Sequence, residues 1–199
     1  MNSKIPYHLV VLFILLIGIL YLAGAKPQFE KMPNPVPRLL SLFTQVPQGY
    51  VKVVDDIDGD TIIVLINGKE ETVRLLGVDT PETKDPRKPV QCFGHEASTF
   101  TREHVQGQAV RLVVDPSQGN EDVYHRLLRY VYLPNGVMLD ELLIVNGYGF
   151  AFEKYPITDT PRMVKLEQQA KEQSRGLWGK CEVTITADRK SKSTNAIGS

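Results

Sequence analysis

A pair of apolar runs joined by Asn-Gly constrains the fold more than any other feature. The runs lie in TIIVLINGKEETVRLLGV, residues 61–78. Asn67 and Gly68 suit a tight hairpin turn, because both central positions of that turn need positive φ. The run YVKVV at residues 50–54 alternates between apolar and polar residues as a half-buried strand does. The sequence therefore predicts three consecutive antiparallel strands.

Later segments add strands and helices in an irregular order. Helical signals occur at about 95–106, 139–147 and 160–176, and strand signals at 109–115 and 126–133. Glycine closes each of the three helical segments, as is typical of helix ends. Five strands interleaved with three helices, without a regular βαβ pattern, predict the α+β class. We expect a five-stranded OB-type β-barrel with three packed α-helices.

The N-terminal segment predicts export or anchoring. Residues 9–25 are 17 consecutive uncharged residues that follow a basic start and end in small residues. This pattern is typical of a signal peptide, and 17 residues also reach the short limit of a membrane-spanning helix. We therefore expect residues 1–25 to form an N-terminal hydrophobic helix, either a signal peptide or a membrane anchor that associates with the membrane. The remainder is expected to be extracytoplasmic, secreted or anchored.

The rest of the chain divides by composition. Residues 26–48 are rich in proline and predict a stiff linker. Residues 49–182 carry the strand and helix signals and form one predicted domain. Residues 183–199 are polar, and we expect them to be a disordered tail.

The two cysteines fit an oxidising compartment. Cys92 and Cys181 are far apart in sequence and form no CxxC pair. A zinc site normally needs four ligands at recognisable spacing, and only His95 lies near Cys92. The expected compartment favours a disulfide between the two cysteines over free thiols.

A cluster of aspartates requires a positive partner. Asp56, Asp58 and Asp60 occupy the first, third and fifth positions of a possible calcium loop, but Thr61 and Asn67 stand where such a loop needs glycine and glutamate. The EF-hand interpretation therefore fails. A site assembled from distant segments is the better interpretation.

The segment VRLLGVDTPET supplies the remaining parts of such a site. Antiparallel pairing through the Asn-Gly hairpin can bring Asp60 close to Asp79, and Pro81 restricts Thr80 so that its carbonyl could face an ion. Carboxylate and carbonyl oxygens are ligands for calcium or magnesium. Arg74 is either an ordinary strand arginine, exposed or paired with a neighbouring glutamate, or a guanidinium directed at a phosphate.

Five motifs in order carry a resemblance to a known family. DGDT, RLLGVDTPET, FGHEASTFT, YHRLLRYVY and LDELLIVNGYG, followed by GLW, resemble the staphylococcal nuclease (thermonuclease) family over about residues 50–179. The resemblance implies an OB-type barrel, one calcium ion, and endonucleolytic hydrolysis of phosphodiesters in DNA and RNA to give 3′-phosphate products. It also implies a preference for single-stranded or flexible substrates and a monomeric protein.

The resemblance also implies site residues. They are Asp60, Asp79 and the Thr80 carbonyl for calcium, Arg74 and Arg126 for the scissile phosphate, Glu82 as general base, and Tyr124 for a nucleotide phosphate. The chain departs from the family pattern at His125, where the family has glycine, and at Val123, where it often has lysine. The alternative function is a catalytically inactive OB module that binds nucleic acid or a protein partner. The retained acidic and arginine positions favour the enzyme.

Overall fold

The computed structural model describes residues 46–86 and 89–197. Its strands are β1 (Val51–Asp58), β2 (Thr61–Ile66), β3 (Lys69–Leu75), β4 (Val78–Asp79), β5 (Ala109–Val113), β6 (Leu127–Tyr132), β7 (Phe150–Ala151), β8 (Val183–Ile185) and β9 (Lys192–Thr194). Its helices are α1 (Gly94–Val105), α2 (Leu139–Val145), α3 (Thr160–Glu172) and the short α4 (Leu177–Lys180).

Five of the strands close into a barrel in the order β1-β2-β3-β6-β5. β2 and β3 are antiparallel around the predicted turn, where Asn67 has φ 52° and Gly68 has φ 80°. β3 and β6 are parallel, and the antiparallel pairing of β1 with β5 completes the closure. The predicted five-stranded barrel is confirmed.

Apolar side chains fill the barrel and the space between it and the helices. Ile62, Val64 and Val73 are fully buried on adjacent strands, as expected when one face of a sheet lines a core. Leu143 of α2 and Met163 of α3 pack into the same core cluster. The three predicted helices are therefore present, and α2 and α3 are fixed to the barrel by burial of their apolar faces.

The C-terminal residues differ from the predicted disordered tail. β8 and β9 form an antiparallel hairpin in which Val183 pairs with Thr194. The side chain of Lys192 is only 3% exposed and contacts the carboxylates of Glu153 and Glu167. A polar segment can order without apolar residues of its own when distant acidic residues pair with its charges, and composition does not reveal such partners.

The predicted N-terminal helix and most of the predicted linker lie outside the described residues. Within residues 46–86 and 89–197, no helix combines the length and apolar character needed to cross a membrane.

Candidate active site

Arg74 lies near the end of β3 and is locked in position by its neighbours. Its Nη2 is 3.0 Å from Asp60 Oδ2 and 3.1 Å from Asp79 Oδ1. Its Nη1 donates hydrogen bonds to the carbonyls of Leu75 at 2.6 Å and Val78 at 2.8 Å. The side chain is only 11% exposed. The interpretation of Arg74 as an exposed strand arginine paired with a nearby glutamate is therefore wrong.

The turn between β1 and β2 brings Asp60 to the loop after β4. Asp60 Oδ2 accepts a hydrogen bond from the Thr80 amide at 2.9 Å, and Oδ1 accepts one from Thr61 Oγ1 at 3.1 Å. Gly59 makes this approach possible, since a Cβ there would lie 2.8 Å from Thr80 Oγ1. Asp60, Asp79 and Thr80 thus meet as the antiparallel pairing predicted.

Negative charge at this point exceeds what Arg74 supplies. Burial, together with the charge of Asp60, raises the pKa of Asp58 to about 7. Burial opposes the charge on Arg74, but the carboxylates of Asp60, Asp79 and Asp58 outweigh it and raise the Arg74 pKa above its usual value. Three carboxylates thus act on one guanidinium, and carboxylate oxygens are the kind of ligand that a hard cation prefers.

The number of side chains that could bind a metal ion here is small. Within the described part of the chain, no three His, Cys, Asp or Glu side chains are arranged as a metal site. A cation held here would therefore use the Thr80 carbonyl and water besides the two carboxylates of Asp60 and Asp79, which is a combination that calcium accepts.

Glu82 follows Pro81 in the loop after β4, and its carboxylate is fixed by backbone amides. Glu82 Oε1 accepts hydrogen bonds from the amides of Thr83 at 3.0 Å, Lys84 at 2.9 Å and Asp85 at 3.0 Å. Three amide donors on one oxygen hold the side chain in a single orientation. Among the described residues, the hydrogen bonds to this carboxylate all fall on Oε1, and Glu82 lines the cleft.

Arg126 lies just before β6 and is oriented by Asp122. Asp122 Oδ2 accepts from Arg126 Nε at 2.7 Å, and Asp122 Oδ1 accepts from the Arg126 amide at 3.0 Å. The Arg126 guanidinium carbon lies 5.5 Å from the ring centroid of Tyr124, a side chain that is 74% exposed. Between them His125 has φ 61°, the left-handed conformation that glycine adopts most readily.

One cleft of about 800 Å³ collects the seven polar residues predicted for the site. They are Asp60, Arg74, Asp79, Thr80, Glu82, Tyr124 and Arg126. Arg129 does not line the cleft, and instead its Nη1 and Nη2 bind the carbonyl and side-chain oxygens of Asn120. Of the two arginines of YHRLLRYVY, the one that lines the cleft is Arg126, which the resemblance implied as a site residue.

Several residues of this cleft were not predicted from the sequence. Asp122, Phe152, Lys154 and Tyr155 also line it. The spacing of Asp122, four residues before Arg126, could have suggested their pairing. Phe152 and Tyr155 come from the segment GYGFAFEKY, residues 147–155, in which no periodicity indicates which aromatic rings face the cleft.

The predicted disulfide is present away from the cleft. Cys92 and Cys181 are bonded and their Cα atoms are 5.9 Å apart. They join the chain just before α1 to the end of α4, and neither lines the cleft.

Fold and site together define a class. The chain is an OB-type barrel protein with two arginines and a fixed carboxylate around one acidic cleft, an arrangement suited to a phosphate ester. A family model described as staphylococcal nuclease homologue matches residues 72–180. The protein belongs to the staphylococcal nuclease family.

Curated relatives are similar over the same region. The chain is 41% identical to a thermonuclease of Staphylococcus hyicus over 128 residues, which are 64% of this chain and 74% of the relative. It is 42% identical to the endonuclease YncB of Bacillus subtilis over 126 residues, 62% of this chain and 59% of that relative. An uncharacterized protein of Bacillus anthracis is 43% identical over 129 residues, 64% of this chain and 59% of its own length.

Proposed function

We propose that this protein is a calcium-dependent nuclease that hydrolyses phosphodiester bonds in DNA and RNA and leaves 3′-phosphate products. The observation that carries the proposal is the shared cleft of Arg74, Arg126 and Glu82. Relatives named thermonuclease and endonuclease support the class of reaction.

The two arginines would bind and stabilise the reacting phosphate. The attacked phosphorus is shielded by negative oxygens, so hydrolysis needs positive charge where charge develops in the transition state. Arg74 is fixed by two carbonyls and two carboxylates, and Arg126 by Asp122. Donors held in place before the substrate arrives need little reorganisation during the reaction, which is where their catalytic benefit lies.

Glu82 would accept the proton of the attacking water. A general base must lie within hydrogen-bonding reach of the proton that it removes. The amides of residues 83–85 fix one carboxylate oxygen, and this arrangement holds the carboxyl group at the cleft wall. The base is thus oriented by its own backbone and does not depend on substrate to find its position.

Calcium is the cofactor that the donor set favours. Asp60, Asp79 and the Thr80 carbonyl would hold it, and when bound it would supply positive charge beside the phosphate oxygens. The carboxylates of Asp60 and Asp79 both lie within 3.1 Å of the Arg74 guanidinium, and two carboxylates around one positive charge support a cation at this place.

We also propose that the protein acts outside the cytoplasm. The Cys92–Cys181 disulfide supports this localisation, because disulfides persist mainly in oxidising compartments. The uncharged run at residues 9–25 would direct export or anchor the chain.

Cleavage of single-stranded DNA and RNA by the purified full-length chain tests the proposal. We expect cleavage with calcium, loss of cleavage with a calcium chelator, and recovery when calcium is added back. The products should carry 3′-phosphates that a phosphatase removes. Cleavage that continues at full rate with the chelator would reject calcium dependence, whereas binding without cleavage would favour the inactive binding module.

A further inference from the structure

The C-terminal hairpin is a feature that the proposed chemistry does not use. We call residues 181–197 the C-terminal strap. None of its residues lines the cleft. One part is fixed by the buried Lys192, whose Nζ lies 2.7 Å from Glu153 Oε1 and 2.8 Å from Glu167 Oε1. A buried cation needs paired partners of this kind, so the strap is an integral part of the fold.

The end of the strap pairs with the chain just before α1. The Ile197 amide donates to the Val90 carbonyl at 2.9 Å, and the Cys92 amide donates to the Asn195 carbonyl at 2.7 Å. The disulfide joins Cys92 to Cys181, the first residue of the strap. Two backbone hydrogen bonds and one covalent bond therefore hold residues 90–92.

Gln91 lies between these anchored residues and is bonded to Glu82. The Gln91 amide donates to the Glu82 carbonyl at 2.9 Å, and the Glu82 amide donates to Gln91 Oε1 at 2.8 Å. The start of α1 packs against the same place, since a Cβ at Gly94 would lie 3.2 Å from the Glu82 carbonyl oxygen. The position of the Glu82 backbone is thus set from the side of the strap.

The Glu82 carboxylate follows its own backbone. Its Oε1 is bound by the amides of the next three residues, so a shift of this backbone carries the carboxylate with it. A displacement of about 1 Å at a reacting group can lower a rate by about 10²-fold. Contacts that hold the backbone of Glu82 can therefore affect the reaction without touching the substrate.

We propose that Gln91 is a positioning residue for Glu82, and that the C-terminal strap and the Cys92–Cys181 disulfide hold Gln91 in place. The inference rests on the proposed function, because it assigns a means of positioning to the proposed general base.

The first test replaces Gln91 and measures kcat, KM and Tm on single-stranded DNA with calcium. Gln91→Ala removes the acceptor for the Glu82 amide, and we expect kcat to fall about tenfold while KM stays within about twofold. Gln91→Glu keeps an acceptor oxygen at this position, and we expect kcat to return to within about threefold of the unmodified chain. All assays are run well below the Tm of each variant, so that loss of folded protein does not enter kcat.

The second test asks whether the strap acts through Gln91. Replacing both Cys92 and Cys181 by serine should lower kcat about threefold or more with KM unchanged. Combining this change with Gln91→Ala should give little further loss, since changes that act through one contact are not additive. Asp188→Asn is the matched control, because Asp188 lies in the turn between β8 and β9 and accepts hydrogen bonds from Thr186 and Lys190 of the same turn. Its kcat should be unchanged.

The outcomes separate this inference from the proposed function. If the unmodified chain cleaves nucleic acid but Gln91→Ala keeps full kcat, the inference is wrong and the nuclease proposal stands. The inference would also be wrong if the losses of kcat multiply when the cysteine replacements are combined with Gln91→Ala, or if Gln91→Glu does not restore kcat. If the unmodified chain cleaves nothing, the proposed function itself fails.

Discussion

Replacing Arg126 by alanine is the most informative test of the cleft, because the same strand region supplies its own control. Arg126 is 30% exposed and faces the cleft while Asp122 holds its Nε at 2.7 Å. Such a preorganised donor contributes about 2.7–4 kcal/mol to transition-state stabilisation, so kcat should fall about 10²–10³-fold. Arg126→Lys keeps a point charge but loses the planar fork, and we expect an intermediate loss.

Arg129→Ala is the matched control for this prediction. Arg129 is an arginine three residues further on, and its guanidinium binds Asn120 outside the cleft. Its loss should reduce stability by about 1 kcal/mol and leave kcat within about threefold. Single-turnover cleavage of a labelled single-stranded oligonucleotide separates the chemical step from product release. Equal losses of kcat in the two alanine variants would refute the assignment of Arg126 to the phosphate.

Substitutions at three further positions test local features of the fold by thermal and denaturant unfolding, and at Gly59 also by kcat. His125→Gly should raise Tm by about 2–4 °C, because the relief of about 1–2 kcal/mol of left-handed strain exceeds the backbone entropy cost of glycine. His125→Ala should not raise Tm, because alanine carries a Cβ as histidine does. Asp115→Asn should lower the free energy of unfolding by about 2–3 kcal/mol at neutral pH. Burial raises the pKa of Asp115, but hydrogen bonds from Ser117 and Tyr130 outweigh it and hold this pKa below its usual range. The stabilisation that the ionised Asp115 carboxylate provides is complete above its unfolded-state pKa of about 3.9, and it is lost as pH falls towards the lower folded-state pKa. The difference in free energy of unfolding between the unmodified chain and Asp115→Asn should therefore shrink below about pH 4. Gly59→Ala should lower both stability and kcat, because its Cβ would lie 2.8 Å from Thr80 Oγ1; unchanged values would contradict the close approach of this turn.

Local signals in the sequence were sufficient to predict the barrel and its three helices. The Asn67-Gly68 turn fixes the register of β2 on β3, and this register places Thr61 opposite Arg74. Because Asp60 precedes that pair, its meeting with the loop after β4 follows from strand geometry. The meeting of Asp60 with Asp79 and Thr80 was predictable for the same reason, whereas Glu82, Tyr124 and Arg126 were indicated by the resemblance to the family.

The C-terminal strap could not be predicted, because its order depends on distant residues. Lys192 is buried by contacts to Glu153 and Glu167, which lie 39 and 25 residues away. A polar composition predicts disorder when no such partners are known. The hydrogen bonds between Gln91, the neighbour of Cys92, and Glu82 could not be predicted either, since hydrogen bonds between irregular segments have no sequence period.

The positions of the cleft aromatics could not be predicted either. Phe152 follows the two-residue strand β7, which is too short for an alternating pattern to show which rings face the cleft. In the structure the Arg74 guanidinium carbon lies 5.6 Å from the Phe152 ring centroid. The arrangement depends on the pairing of β7 with β4, a contact between segments more than 70 residues apart.

The most decisive measurement is the kcat of Glu82→Gln in calcium with saturating single-stranded DNA, because Glu82 is the proposed general base. The substitution keeps an acceptor oxygen for the amides of residues 83–85 and removes the ability to take a proton. We expect kcat to fall about 10²–10⁴-fold with unchanged substrate affinity. A Glu82→Gln protein that cleaves at the rate of the unmodified chain would rule out Glu82 as the general base.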